Sequence, residues 1–453
     1  MPAQTTSSAS YQRRTLAISL IVFGLVFIWS ITGTIALRNV LLVLLLGAAP
    51  FAGIDQQTLK RCATHPTVLL LLALTGWIVF QNQFLAWDSS RAWNESGQWF
   101  KSMICLGLGL ALGCAPRQQT AHLRWRRWAL PIAAAWTLHL LLNVALKDWG
   151  SQSFSMTMQT GTAIGTRDMV SYLGTGLLAV LLADGVARAG GGESAFPLPT
   201  KGVWACVLAT TVLTTATMTR NSILVMALEL AIAMAALIGT SGNKQQRSRR
   251  RMLAATTMLL VTATAFANLT LDDRWKNFSD SARIAWNIDH HTWWIDPVKN
   301  PPPENLQGVP VDLSAYYRIA WMRGASFLIA EYPLGTGYDR NAFRRALMRH
   351  YGAASTASGH AHAGLLDFTL ATGLPGGLLL IAALLTAINH GWRRWDATHG
   401  VSGLALVIFV AGYLLRAAVD GIVRDHMLEQ AMFVTGLLLA ASLADSARGK
   451  SEE

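Results

Sequence analysis

Apolar runs of about 17 to 20 residues recur along almost the whole chain, each long enough to cross a hydrocarbon layer about 30 Å thick as an α-helix. Over 453 residues the sequence is 52% hydrophobic and 14% charged, far below the roughly one-quarter charged content of soluble domains. The fold class expected is an all-α integral membrane protein. The runs predict twelve spans, at 15–33, 36–53, 67–84, 98–114, 129–146, 169–187, 202–219, 221–239, 252–270, 363–388, 401–419 and 428–444.

Orientation follows from the positive charges. With the N-terminus inside, Lys60 and Arg61, Arg117 with Arg124, Arg126 and Arg127, Lys244 through Arg251, Arg393 and Arg394, and Arg448 with Lys450 all fall on the cytoplasmic face, as the positive-inside bias requires. Both termini are then cytoplasmic. The first run, behind Arg13 and Arg14, reads as a retained signal-anchor helix, since no small-residue cleavage site follows it. The net charge of +12 is mostly this bias and is no sign of a nucleic-acid partner. The four cysteines, Cys62, Cys105, Cys114 and Cys206, lie in or beside spans or on the cytoplasmic side, and neither a disulfide framework nor a cysteine-based zinc site follows.

One segment breaks the pattern. Residues 271–361 are expected to form a single large outside loop rich in Arg and Lys, flanked by transmembrane helices one to nine in 1–270 and ten to twelve with the cytoplasmic tail in 362–453. Within it, Ala315–Ala330 and Asn341–Arg349 have apolar and basic residues at helical spacing, predicting amphipathic helices that lie on the outer leaflet or cap a cavity. A glycine-rich turn, Pro333-Leu334-Gly335-Thr336-Gly337, joins them.

The candidate chemistry gathers on this outer side. Lys147 follows span five, Arg167 precedes span six, and Arg220 occupies the tight apex between spans seven and eight. Two readings stand for Arg220: a snorkelling side chain on lipid headgroups, or a fixed, non-titrating partner for the phosphates of a membrane-embedded substrate. Arg318, one turn before Trp321, and Arg340 add cations from the loop. Where the loop meets the next span stands Gly359-His360-Ala361-His362-Ala363-Gly364. Small residues leave room around His362, and neighbouring cations keep an imidazole neutral and able to take a proton, which makes His362 the candidate general base and His360 its orienting or merely interfacial neighbour. No metal and no cofactor are expected: His290, His291, Asp289 and Asp296 lack an Asp-x-Asp pair or a His-x-x-x-His spacing, and no phosphate-binding glycine loop occurs.

His362-Ala363-Gly364-Leu365-Leu366, followed by Thr372-Gly373-Leu374-Pro375-Gly376, resembles the His-Asn-x-x-Leu and Glu-Thr-Gly-x-x-Gly signature of the O-antigen ligase and O-antigen polymerase superfamily. Arg318 and Trp321 with Pro333-Leu334-Gly335-Thr336-Gly337 resemble that family's Arg, Trp, Pro-x-Gly-x-Gly stretch, and Thr219-Arg220 its Ser/Thr-Arg motif. The chain differs in carrying Ala363 where Asn or Ser is usual and in a shorter Arg-to-Trp spacing. The resemblance implies a GT-C-like glycosyltransferase architecture in the bacterial inner membrane. It implies an undecaprenyl-diphosphate-linked glycan as donor, lipid A–core as acceptor, and metal-independent transfer at the periplasmic face with inversion at the anomeric carbon. His362 would act as general base, and Arg220 and Arg318 would hold the leaving diphosphate, with Lys147, Arg167, Arg340 and His360 as further substrate contacts. A polymerase or a protein O-oligosaccharyltransferase would share the chemistry. A secondary transporter would instead use midplane ionisable residues, for which Glu229 and Asp184 are the candidates.

Overall fold

The structure is a computed structural model. It describes residues 4–114, 121–146, 164–192, 194–239, 278–305, 308–352 and 359–445, with residues 259, 262, 263, 266 and 270. Fifteen α-helices occur among the described residues, and no strand: α1 (Gln4–Ile28), α2 (Ile35–Ala48), α3 (Gln56–Ala63), α4 (Pro66–Phe84), α5 (Ser89–Gly113), α6 (Ala121–Leu146), α7 (Arg167–Ala189), α8 (Thr200–Thr215), α9 (Arg220–Gly239), α10 (Phe278–Trp286), α11 (Leu313–Glu331), α12 (Ala342–Tyr351), α13 (Gly364–Thr398), α14 (Val401–Val419) and α15 (Asp425–Asp445).

Eleven of the twelve expected spans coincide with one of these helices, and the twelfth, 252–270, lies almost entirely outside the described residues. Among the described residues eight helices are long and apolar enough to cross a membrane. Among the other three, α8 has only 16 residues, and α5 opens on a polar stretch from Ser89 to Lys101 before its apolar half. The periphery is apolar: α2 exposes Ile35, Val40, Val43 and Leu44, and α4 exposes Leu69, Leu72 and Phe80. Lipid tails suit such a surface, which water would penalise. By contrast α7 and α15 are enclosed almost completely. Asp184, near the C-terminal end of α7, is held by Arg188 at 2.7 Å and by the backbone N–H of Ala195, so it ties down the loop that follows the helix.

Residues 278–352 pack as a body in their own right. Trp294, Tyr316, Ala320, Trp321, Leu328, Phe343 and Leu347 share one buried cluster, which Ala361 joins from just before α13 and Leu370 and Ala371 from within it. Of the two placements expected for the loop helices, on a leaflet or over a cavity, α11 fits the second: it buries Tyr316, Trp321, Ala325 and Leu328 against protein and lines a cavity with Arg318, Ile319 and Met322.

The joint between this body and the membrane helices explains two glycine motifs at once. Helix α13 breaks at Gly373, where φ is 76°, and Pro375 has no N–H to offer Ala371 O in the usual way. The turn 333–337 supplies the missing partners. Thr336 N–H donates to Leu370 O (3.1 Å), Gly337 N–H to Ala371 O (3.0 Å), and Leu374 N–H turns outward to Pro333 O (2.8 Å). The buried amide of Gln81 donates to both Leu334 O and Ala371 O. The two backbones lie so close that a Cβ on Gly373 would come within 2.6 Å of Leu334 O, and a Cβ on Gly335 within 2.7 Å of Ala371 O. Irregular backbone beside a membrane helix is tolerated where protein satisfies it, as here.

Candidate active site

The loop 359–363 is pinned before it enters α13. Ala361 and Ala363 are fully buried, which turns both histidines to the other side. Asp367, in the first turns of α13, reaches back to accept the N–H of Ala361 at 2.7 Å. Gly364 N–H donates to Asp420 O at 2.9 Å, tying the helix start to the short connection between α14 and α15. His362 itself is left-handed, with φ 55°, a conformation that costs a non-glycine residue on the order of 1–3 kcal/mol and persists only where neighbours hold it. Its N–H donates to His360 Nδ1 at 3.3 Å, so that nitrogen carries a lone pair.

The imidazole of His362 lies on the indole of Trp321, with centroids 5.3 Å apart and planes at 11°. Trp321 stacks in turn on Tyr317 (4.7 Å, 23°), and Tyr317 on Trp293 (4.7 Å, 28°). The indole is fixed by its N–H to Trp294 O. The outer body thus presents one end of an aromatic column to the candidate base. Burial lowers the His362 pKa to about 4, helped by Arg318 and Arg424 and opposed by Asp420. His360 falls to about 3, again chiefly through burial. The expectation that cations would keep His362 neutral is met in direction, with burial as the larger cause. Both rings are neutral at pH 7.

Arg318 lies one helical turn before Trp321 and lines a cavity of about 820 Å³ together with Arg167 and Arg220. Its other walls include Met218, Leu224, Phe278, Ile319 and Met322, so cations share it with apolar surface. The chain reverses into α9 at Met218, itself left-handed (φ 52°), and Thr219 and Ser222 exchange a hydroxyl hydrogen bond at 2.6 Å. Arg220 pairs with Asp312 at 3.2 Å, and Asp312 also caps α11 by accepting the N–H of Ser314. Arg318 makes no ion pair among the described residues. A cluster of fixed guanidiniums in a half-enclosed cavity is suited to a multiply charged phosphate group.

Not every expected residue is part of this cluster. Arg340 pairs with Glu95 at 2.7 Å and lines a second cavity, of about 430 Å³. Lys147 lies outside the described residues. Arg323 packs over Trp286, and Asp296 is engaged by Lys299 and two backbone N–H groups.

Residues that sequence reasoning passed over also take part. Arg416, fully buried, donates to Asp168 O (2.8 Å), to Ser171 Oγ (2.6 Å) and to Asp420 Oδ2 (3.3 Å). It therefore links the α7 edge of the larger cavity to the connection on which Gly364 rests. Arg424 lines the smaller cavity and donates through Nε to Gly421 O. Their one available signal was position: Asp420 to His426 is the short stretch, with four charged or titratable residues, that joins two spans.

Apolar helices long enough to span a bilayer, a cation-lined cavity, and a neutral imidazole stacked one helical turn from the cavity's Arg318 fit a multi-pass all-α membrane protein with a built polar site. Residues 204–381 match the family model described as O-antigen ligase. The match supports membership of the O-antigen ligase and polymerase superfamily, and with it an enzyme of glycosyltransferase type in general. It takes in Arg220, the outer body, Arg318, both histidines and the glycine joint, and it ends before Arg416 and Arg424. No curated protein matches the chain.

Proposed function

We propose that the protein transfers a glycan from undecaprenyl diphosphate to lipid A–core at the periplasmic face of the bacterial inner membrane, as an O-antigen ligase with twelve spans and cytoplasmic termini. One observation carries it: a neutral imidazole, His362, is held against Trp321, one turn of α11 from Arg318 in a cavity with two further arginines. In this reading the diphosphate sits among Arg167, Arg220 and Arg318, and the polyprenyl chain leaves along the apolar wall. Lys147, Arg340 and His360 are further candidate contacts.

The chemistry needs a proton acceptor and charge stabilisation. His362 takes the proton of the attacking acceptor hydroxyl, whose oxygen forms the new bond to the anomeric carbon while the bond from that carbon to the diphosphate oxygen breaks. The bond electrons leave on the diphosphate, and the guanidiniums stabilise that charge as it develops. Direct displacement of this kind inverts the anomeric centre.

A polymerase of the same superfamily would use the same steps on a different acceptor. A deletion strain separates the two. Full-length glycan accumulating on undecaprenyl diphosphate over bare lipid A–core supports the ligase, and single repeat units capping the core refute it.

A further inference from the structure

Two cavities border the connection between α14 and α15, and their walls differ in kind; His362 is near enough to feel the charge of Arg318 in one and of Arg424 in the other. The larger has Arg167, Arg220 and Arg318 against Asp168 and Asp312, with a broad apolar share. The smaller has Arg340 and Arg424 against Asp339 and Asp367, with Gln98, Tyr338 and Phe368. The connection between α14 and α15 divides them: Val419 lines the larger cavity and Gly421 the smaller, with Asp420 between, bonded to Gly364 N–H.

Most charge in the smaller cavity is already neutralised. Asp339 is fully buried between Arg91 (2.8 Å) and Arg345 (2.9 Å), and Arg340 is held by Glu95. Asp367 accepts Ala361 N–H. Arg424 spends only Nε, on Gly421 O, and has no carboxylate partner among the described residues. What remains is a chamber with donors and acceptors in planar side chains, two aromatic walls set edge to face at 84°, and no strong excess of either sign. Its empty space of about 430 Å³ includes the part open to solvent. A polyanion would be poorly served there. A hydroxyl-rich ring offers what these groups need, since each hydroxyl both donates and accepts.

We propose that the smaller cavity binds the acceptor sugar as a neutral, polyhydroxylated ring, with the outward edge of Arg424 donating to its hydroxyls. This rests on the transferase reading above and deepens it. The donor enters on the Arg318 side of the histidine loop, the acceptor on the Arg424 side, and His362 lies where an acceptor hydroxyl must lose its proton.

The test is acceptor and donor kinetics with purified protein in nanodiscs, using undecaprenyl-diphosphate-linked glycan and deacylated lipid A–core saccharide. Arg424→Ala should raise the acceptor KM about tenfold, the loss expected for a hydrogen bond to a charged group, and leave the donor KM within about twofold. Arg424→Gln, which keeps a planar donor without the charge, should stay within about threefold of wild type for the acceptor. A rise in acceptor KM as large as that of Arg424→Ala would mean an anionic ligand and overturn the proposal. So would a donor KM that rises alone, or no change in either. Amide exchange on the wild-type protein gives a readout independent of any variant's folding: saccharide alone should protect 338–340 and 421–424, whereas protection confined to 218–221 and 314–319 would overturn the proposal. A wild-type protein that transfers glycan to no saccharide refutes the transferase reading and this one with it. Transfer with an unmoved acceptor KM refutes this one only.

Discussion

The His362 imidazole and the Trp321 indole lie nearly parallel, 11° apart, with their centroids separated by 5.3 Å. This contact orients a ring whose backbone is left-handed (φ 55°), and it comes from a helix one turn away from Arg318. Loss of the indole should therefore loosen the base without emptying the cation cavity. Trp321→Leu should lower kcat about three- to tenfold, in proportion to the 0.5–1.5 kcal/mol of an aromatic pair, with donor KM little changed. Trp321→Phe should keep most of the rate. Steady-state kinetics with varied donor check both.

The acid side of the pH profile should be displaced. A base must be neutral to act, and burial with nearby cations lowers His362 to about 4, so kcat/KM should stay level from pH 7 down to about 5 and fall only as pH approaches 4. An ordinary histidine would already halve the rate near pH 6.5. Bound diphosphate offsets the cations and favours the protonated ring, so the acid limb of kcat should lie above that of kcat/KM. Coincident limbs near pH 6.5 would contradict this.

Arg318 and Arg323 are both basic residues of α11, yet they should behave differently. Arg318 lines the larger cavity, whereas Arg323 lies over Trp286. Arg318→Lys keeps the charge and loses the two-pronged geometry, so kcat/KM for the lipid-linked donor should fall at least tenfold. Arg323→Lys should stay within about twofold.

The joint between the turn 333–337 and α13 should report on stability. Gly373→Ala forces a side chain into positive φ and against Leu334, which should cost more than about 1 kcal/mol and lower the thermal midpoint in detergent. Gly47 lies in α2 with nothing within 4 Å of an added Cβ, so Gly47→Ala should be neutral or stabilising. Gln81→Ala removes the amide shared by Leu334 O and Ala371 O and should cost about 1–3 kcal/mol.

Much of this was open to reading from residue order alone, and the parts that were not share a cause. Span positions follow from run length, because the bilayer imposes one scale on every helix. His362 and the two glycine stretches were visible as motifs, and Thr219 and Arg220 as a polar apex between apolar runs. What periodicity does not encode is which distant loops fold onto each other. Nothing local says that Asp420 receives Gly364 N–H, that Arg416 reaches back to Asp168, or that Trp321 faces an imidazole 41 positions on. Arg340 shows the same limit from the other side: as a basic residue it resembled Arg318, but Glu95, 245 positions earlier, claims it for a different cavity. Charge marks a candidate, and only its partner tells what it does.

The central claim is that His362 takes the acceptor's proton, and substituting that one residue tests it most directly. His362→Ala, purified in nanodiscs with undecaprenyl-diphosphate-linked glycan and lipid A–core, should give no detectable transfer while binding the donor with unchanged affinity and unfolding at a temperature close to wild type. Near-normal turnover by that variant would contradict it.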